Sequence, residues 1–280
     1  SRVNQVFAKL PSKKVIIYHN ITPSIYFQHL NPTIAQVLSE GRKQVAALAG
    51  VADVNLAVSA YNARELEECG YKNVKVHPLV IDASFGEGKV DLPFFSSLKK
   101  DGFKNILFVG RVAPNKRHDK LLEVFSYYQH YIEPKSRLII AGSIAGNNMY
   151  KALLLGSVYT LELKNVYFTE FLPQEELNSC YKAADAFLCV SDHEGFCAPL
   201  LEAMSWQIPV CAMANAAIPE TMDGAGVLFN DASSAEIAEA LNEVITNQPL
   251  REKIIEKQNE RLARFRNRDV WSEFIGLIGE

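Results

Sequence analysis

Residues 186–204 read AFLCVSDHEGFCAPLLEAM, and the fold follows from how the first part of this stretch gives way to the second. Ala186-Phe187-Leu188-Cys189-Val190 is an unbroken apolar run, the pattern of a strand buried on both faces. A short polar loop follows (Ser191-Asp192-His193), then Glu194 and Gly195, with Pro199 placed to open a helix. Glu202 stands eight residues after Glu194. One carboxylate thus lies in the loop at the carboxyl end of a buried strand, and the other in the opening turns of the next helix. In open α/β sheets that junction is where ligands bind.

The same alternation runs almost from end to end, which predicts βα units and a parallel sheet. Strands are expected at Val15–Tyr18, Val54–Val58, Val74–His77, Ile106–Val109, Arg137–Ala141, Val166–Phe168, Ala186–Val190 and Ile208–Ala212. A helix over Lys120–Tyr131 repeats Leu121, Leu122, Phe125 and Tyr128 at three-to-four spacing. Another over Ala63–Cys69 has Asn62 as its expected cap, Glu65 three residues on, and Gly70 as its stop. The mixed stretch 82–101 reads as a linker. The expected organisation is α/β with two doubly wound, Rossmann-like parallel-sheet domains: a partial first domain over 1–85, a linker over 86–101 and a second domain over 102–266. A terminal helix over 267–280 crosses back to the first. About 85 residues are few for a domain of ordinary size, so the first reads as incomplete. The Arg/Lys- and Glu-rich stretch 251–268 reads as a solvated helical face.

With 280 residues, 48% apolar and 22% charged, the composition is that of a globular chain. A net charge of −3 gives no electrostatic reason to expect nucleic acid. The five cysteines are odd in number and none form C-x-x-C, so they read as reduced, mostly buried thiols of a cytosolic protein. No apolar run reaches membrane-span length, which leaves peripheral association at the inner face of the membrane as the mode of membrane contact.

A second strand–helix junction lies at Ile106–Lys116. Gly110 permits a tight turn at the strand end. Arg111 and Lys116 then stand on a loop that leads into a helix whose amino end favours anions. A guanidinium fork and an ammonium suit a diphosphate; as isolated residues they read equally as solvated surface cations. Glu202 suits a pair of vicinal hydroxyls, although the helix dipole alone would also favour a carboxylate there. Glu194 has less structural reason to be where it is and suits sugar hydroxyls or developing positive charge. Gly195, Phe196 and Cys197 offer main-chain N–H groups beside it. His19 follows the strand Val15–Tyr18 on another carboxyl edge. The chain has no phosphate-binding G-x-x-x-x-G-K-[ST], no G-x-G-x-x-G, no G-x-S-x-G, no H-E-x-x-H and no D-x-D. An aspartate-held metal on a diphosphate is therefore not expected, and no cofactor is.

These segments resemble the family 4 glycosyltransferases, retaining enzymes of the GT-B architecture. The match runs in order through YHNITP (18–23), AVSAYNARELEECGYKNVKVHPLVID (57–82), ILFVGRVAPNK (106–116), VYFTEFLPQEELNSCYKAADAFLCVSDHEGFCAPLLEAM (166–204) and IPVCAMANAAIPETMDGAGVLF (208–229). The resemblance implies transfer of a sugar from a UDP- or GDP-sugar to the hydroxyl of a glycan, lipid-linked or small-molecule acceptor, with anomeric configuration retained. Arg111 and Lys116 would grip the diphosphate, Glu202 the ribose, and Glu194 with Gly195–Cys197 the donor sugar. The main chain near Phe171 would touch the base, while the Phe171 side chain reads as core. His19 would reach the donor sugar across the cleft. Cys197 and Gln207 stand where many members have glycine. The family's amino-terminal start, with its glycine-rich loop and much of the acceptor site, has no counterpart here; domain size puts it at about 100 residues. A nucleotide-sugar epimerase or a glycan phosphorylase of the same architecture, and a non-catalytic nucleotide-sugar-binding protein, remain alternatives.

Overall fold

The computed structural model describes residues 2–80 and 85–279. Residues 81–84, where the linker is expected to begin, lie outside the described residues, as do Ser1 and Glu280. The chain opens with α1 (Arg2–Lys9), β1 (Val15–Tyr18), α2 (Pro32–Ala47), β2 (Val54–Ala57), α3 (Ala60–Glu68) and β3 (Val74–Val76). These strands form a parallel sheet in the order β1-β2-β3.

A second parallel sheet follows. Its chain order is α4 (Leu92–Lys99), β4 (Lys104–Val109), α5 (His118–Tyr127), β5 (Ser136–Ala141), α6 (Asn148–Thr160), β6 (Val166–Glu170), α7 (Gln174–Ala183), β7 (Ala186–Cys189), α8 (Ala198–Ser205), β8 (Val210–Met213), α9 (Ile218–Met222), β9 (Val227–Phe229), α10 (Ser234–Thr246) and α11 (Gln248–Arg266). The strand order is β6-β5-β4-β7-β8-β9. Successive strands step one way from β4 and then the other way from β7. The gap between those two carboxyl ends is the switch point where a crevice opens.

The second core is continuous and apolar. Every residue of β5, β7 and β8 is buried, as a parallel sheet covered on both faces requires. Leu107, Leu121, Leu138, Phe187 and Leu200 are among the fully enclosed side chains, each worth roughly 1.5–3 kcal/mol by burial.

Three local expectations change. Leu92–Lys99, inside the stretch read as linker, is the helix α4, capped by Asp91 and packed on α7. The helix expected from Ala63 starts at Ala60, and Ser59 caps it by accepting from Asn62 N–H at 3.1 Å. Ser59 wins over Asn62 because β2 ends almost at once and the extended Ser59 backbone (φ −155°, ψ 160°) already sits at the cap. Gln248–Arg266 has the expected solvated face, with Glu252, Lys253, Glu256, Lys257 and Glu260 exposed, and buries Ile254, Gln258 and Leu262. The Gln258 amide accepts from Val210 N–H (2.9 Å) and donates to Ile208 C=O (2.8 Å), which ties α11 to the start of β8. The half-buried edge strand β9 has no counterpart among the expected strands.

The last helix, α12 (Val270–Gly279), lies against the first domain. Phe274 packs on His77 at 5.8 Å, and Arg268, just before it, donates to Pro78 C=O at 3.3 Å. No helix among the described residues is long and apolar enough to cross a membrane.

Candidate functional site

The two junctions singled out in the sequence meet at the switch point, and a buried asparagine joins them. Asn115 Nδ2 donates to His193 C=O at 3.1 Å, and Asp192 N–H donates back to Asn115 C=O at 3.0 Å. Gly110 (φ +150°) lets the chain leave β4 sharply. Pro114–Lys116 make a single 3-10 turn, and Arg117, in the left-handed region at φ +52°, swings the chain into α5. Arg117 is held there by Asp119 (3.0 Å) and Asp192 (3.1 Å).

That geometry sets Lys116 on Glu194, with Nζ 2.5 Å from Oε1. Both side chains are largely enclosed, at 20% and 8% exposure. Burial opposes the lysine's charge, but the adjacent carboxylate prevails and raises its pKa above the ordinary value. The pair joins loops 78 residues apart.

Arg111 and Phe171 meet elsewhere on the same edge. They line a cavity of about 330 Å³ with Gly110, Ser143 and Glu170. Phe171 is 85% exposed, which corrects the expectation of a core side chain. Glu170, at φ +56°, ends β6 in the left-handed region and turns the next residue outward. Glu202 has its own partner, since Tyr181 Oη donates to Oε2 at 2.6 Å. Burial pushes the Glu202 carboxyl above its usual range, and the tyrosine's hydrogen bond partly offsets this.

From the first domain, the His19 imidazole is exposed just after β1, and its main chain approaches the donor loop. A Cβ on Gly195 would stand 2.5 Å from Asn20 Cβ and 2.8 Å from His19 C=O. Only a residue without a side chain lets the two loops approach this closely. Asn20, at φ +89°, is fixed by donating to Asn62 Oδ1 and Glu65 Oε2, both at 2.8 Å. Glu65 also accepts from Tyr18 Oη (3.1 Å) and Arg42 (2.9 Å). Buried His193 faces the same group, set edge-on between Tyr26 and Tyr61 with Nε2 3.9 Å from Glu65.

The match to a family model described as "Glycosyl transferases group 1" covers residues 91–261, and both junctions lie within it. The chain belongs to the group 1 glycosyl transferases. It is 24% identical over 143 residues to the serotype-specific mannosyltransferase WbdA of Escherichia coli, covering 51% of this chain and 18% of that one. To the D-inositol 3-phosphate glycosyltransferase of Mycolicibacterium smegmatis it is 29% identical over 215 residues, 75% of this chain and 48% of that one. The chain thus spans less than half the length of these relatives. A solved structure of Anabaena HepE in complex with UDP-glucose superposes at TM-score 0.73 with 21% identity, over 94% of this chain and 70% of that one. That likeness shows the GT-B fold.

In this glycosyl transferase the Phe196 side chain is core, 6% exposed and edge-on to Phe265. Its carbonyl accepts from Thr221 Oγ1. Cys197 opens α8 from the left-handed region at φ +68°, where a glycine would cost nothing and a side chain costs on the order of 1 kcal/mol. Its Sγ lies 4.0 Å from Cys189 Sγ. Contact with Cys189 and burial hold the Cys197 thiol well above its ordinary pKa, so it makes a poor nucleophile. Cys189, Glu194 and Cys197 bring three potential metal-ligand atoms within 4.8 Å of one another. Glu194 in that group also accepts from Lys116 through Oε1. Asn115, His193, Ser59 and Glu220 hold the surrounding loops without touching the cavity, and no role for them is legible in the sequence. Only His193 carried a signal there, as the residue directly before Glu194.

Proposed function

We propose that this chain carries the donor-binding machinery of a retaining glycosyltransferase that uses a UDP- or GDP-sugar. The observation that carries the reading is the meeting of Lys116 and Glu194 at the switch point, with Arg111 and Phe171 lining a cavity on the same sheet edge. The cavity's volume is at the lower bound of ordinary ligand sites. Phe171 offers a face for a nucleobase. Arg111 and Lys116 supply the cationic charge for a diphosphate in place of a metal. Glu202, oriented by Tyr181, suits the ribose hydroxyls. Glu194, left with one oxygen beyond Lys116, suits the sugar.

Transfer in this reading is front-face. The bond from the anomeric carbon to the diphosphate oxygen breaks, and the acceptor hydroxyl bonds to that carbon from the same side. Its proton goes to the departing phosphate, so no protein base is needed. The chain's part is positioning and charge stabilisation. The likeness to a serotype-specific mannosyltransferase supports a glycan or lipid-linked acceptor, and that to a D-inositol 3-phosphate glycosyltransferase a small-molecule one.

Calorimetric titration with UDP, GDP, UDP-glucose and GDP-mannose, with EDTA or with Mg²⁺, tests the reading. One nucleotide series is expected to bind with EDTA present, and Arg111→Ala is expected to weaken it by about tenfold or more, the loss of a charge-assisted contact. No binding by any of the four, or a strict Mg²⁺ requirement, would overturn it. Release of a changed nucleotide sugar without acceptor would show epimerase chemistry instead.

A further inference from the structure

Three consecutive carbonyls of the donor loop are each tied down, and by different parts of the molecule. Glu194 C=O accepts from Ala217 N–H at 3.3 Å, and Phe196 C=O accepts from Thr221 Oγ1. Both donors belong to α9 or the residue before it, within the second domain. The middle carbonyl, on Gly195, accepts from Ser59 Oγ at 2.8 Å, and Ser59 belongs to the first domain. Ser59 is 1% exposed and simultaneously caps α3. From the same α9, Glu220 reaches back across the cleft. Its two carboxylate oxygens lie 2.9 and 2.7 Å from Ala60 N, the first N–H of α3. A carboxylate at a helix amino end is held by the exposed N–H groups and by the helix dipole together.

We propose that Glu220 and Ser59 form the latch that holds the two domains closed and, in closing, sets the Glu194–Phe196 main chain. Glu220 and Ser59 are positioning residues; neither touches the proposed donor. Opening the cleft separates Glu220 from Ala60 and Ser59 from Gly195 in one movement, because Ser59 and Ala60 are adjacent. It also withdraws Asn20 and His19 from Gly195, where the absence of a Cβ permits contact. α9 links the two ends of the latch, since it binds the loop through Ala217 and Thr221 and the first domain through Glu220. Arg261 of α11 keeps α9 in place by donating to Thr221 C=O (3.0 Å) and Glu220 C=O (2.8 Å). An incoming sugar therefore meets a loop whose shape depends on whether the domains are shut.

The role of the latch in transfer rests on the proposed function, but the latch itself is read without any ligand. Hydrogen–deuterium exchange compares wild type with Glu220→Ala and Glu220→Gln. In Glu220→Ala the amides of 59–62, 18–21 and 193–196 are expected to exchange about tenfold faster or more, the worth of one hydrogen bond to a charged group. Strand β5 is expected to be unchanged. Glu220→Gln keeps an acceptor oxygen and is expected to restore part of the protection. It carries the same comparison against wild type if Glu220→Ala does not fold. Wild-type exchange at 18–21 and 59–62 overturns the latch, as does faster exchange confined to α9 and α11. In a second arm, the latch predicts that Glu220→Ala binds UDP or GDP as wild type does and loses the additional affinity for the sugar-bearing form. Loss of nucleotide and nucleotide-sugar affinity in equal proportion overturns the link between latch and sugar. Failure of wild type to bind any nucleotide overturns the proposed function and leaves the exchange comparison to judge the latch.

Discussion

Lys116 and Glu194 offer the sharpest quantitative test, because each is the other's partner and both are poorly exposed. Lys116→Met removes the ammonium but keeps most of the stem's apolar volume, leaving the Glu194 carboxylate enclosed and unpaired. Breaking a fully buried pair from one side costs about 3–5 kcal/mol. The 20% exposure of Lys116 lets water reach part of the gap, so the expected cost is about 2–3 kcal/mol. Glu194→Gln keeps an acceptor and removes the charge, for a cost of about 1–2 kcal/mol. The double variant is expected to lose less than the sum of the two, with a coupling of about 1–2 kcal/mol. Urea unfolding at pH 7.5 measures all four proteins, and a shifted midpoint at constant slope reports stability alone. Binding adds an opposite sign. Glu194→Gln removes a negative charge from beside the proposed diphosphate, worth about 1 kcal/mol even under water-like screening, so UDP or GDP is expected to bind at least about fivefold more tightly. A coupling indistinguishable from zero would refute the pairing. Weaker nucleotide binding in Glu194→Gln would refute the assignment of the diphosphate to Lys116.

Three other predictions follow from neighbouring contacts. Gly195→Ala places a methyl 2.5 Å from Asn20 Cβ, so the loops must part by about 1 Å to reach ordinary contact; unfolding experiments are expected to show a loss of about 1–3 kcal/mol, and wild-type stability would count against the close approach. Buried His118, packed on Phe108 at 4.7 Å, has its pKa lowered to about 3 by burial, with Lys116 adding to the effect. Its unfolded form takes up a proton first, so stability is full above about pH 6.5 and falls as the pH drops from there towards 3, costing about 2 kcal/mol at pH 5. His118→Leu is expected to flatten that fall in melting experiments between pH 7.5 and 5, and an unchanged slope would refute it. Tyr181→Phe leaves the partly buried Glu202 without its donor and is expected to cost about 1–2 kcal/mol, a loss that Tyr181→Phe/Glu202→Gln reduces; an undiminished loss in the double variant would exclude the contact as its cause.

The fold was legible because parallel strands buried on both faces spell themselves out as apolar runs, and Ala186–Val190 could be little else. Junction residues were legible for a related reason: a carboxylate or guanidinium directly after such a run stands at a strand's carboxyl edge. What could not be read was which of those residues touch. The Lys116–Glu194 contact depends on β4 lying beside β7, and strand order is a property of the crossovers rather than of either segment. Phe171 reads as core because Tyr167, Phe168 and Phe171 look alike as aromatics in the sequence, and the left-handed turn at Glu170 is what carries Phe171 out into solvent. Ser59 and Asn62 both satisfied a capping rule, and Glu65, which favoured Asn62, serves Tyr18, Asn20 and Arg42 instead. Glu220 carried no local signal, since its partner is an unremarkable backbone N–H 160 residues away.

The adjacency of β4 and β7 also bears on how the chain acquires its site. Arg111 and Lys116 lie on the loop after β4, and β4 and β5 are drawn from a short span of sequence. Glu194 joins only after a loop of 78 residues has closed, and such distant contacts form slowly because their entropy must be lost before they stabilise anything. This ordering predicts an interval during refolding in which the cationic loop exists without its carboxylate. In that interval polyanions would compete for Lys116, and inorganic pyrophosphate added to a refolding reaction is expected to delay the final phase.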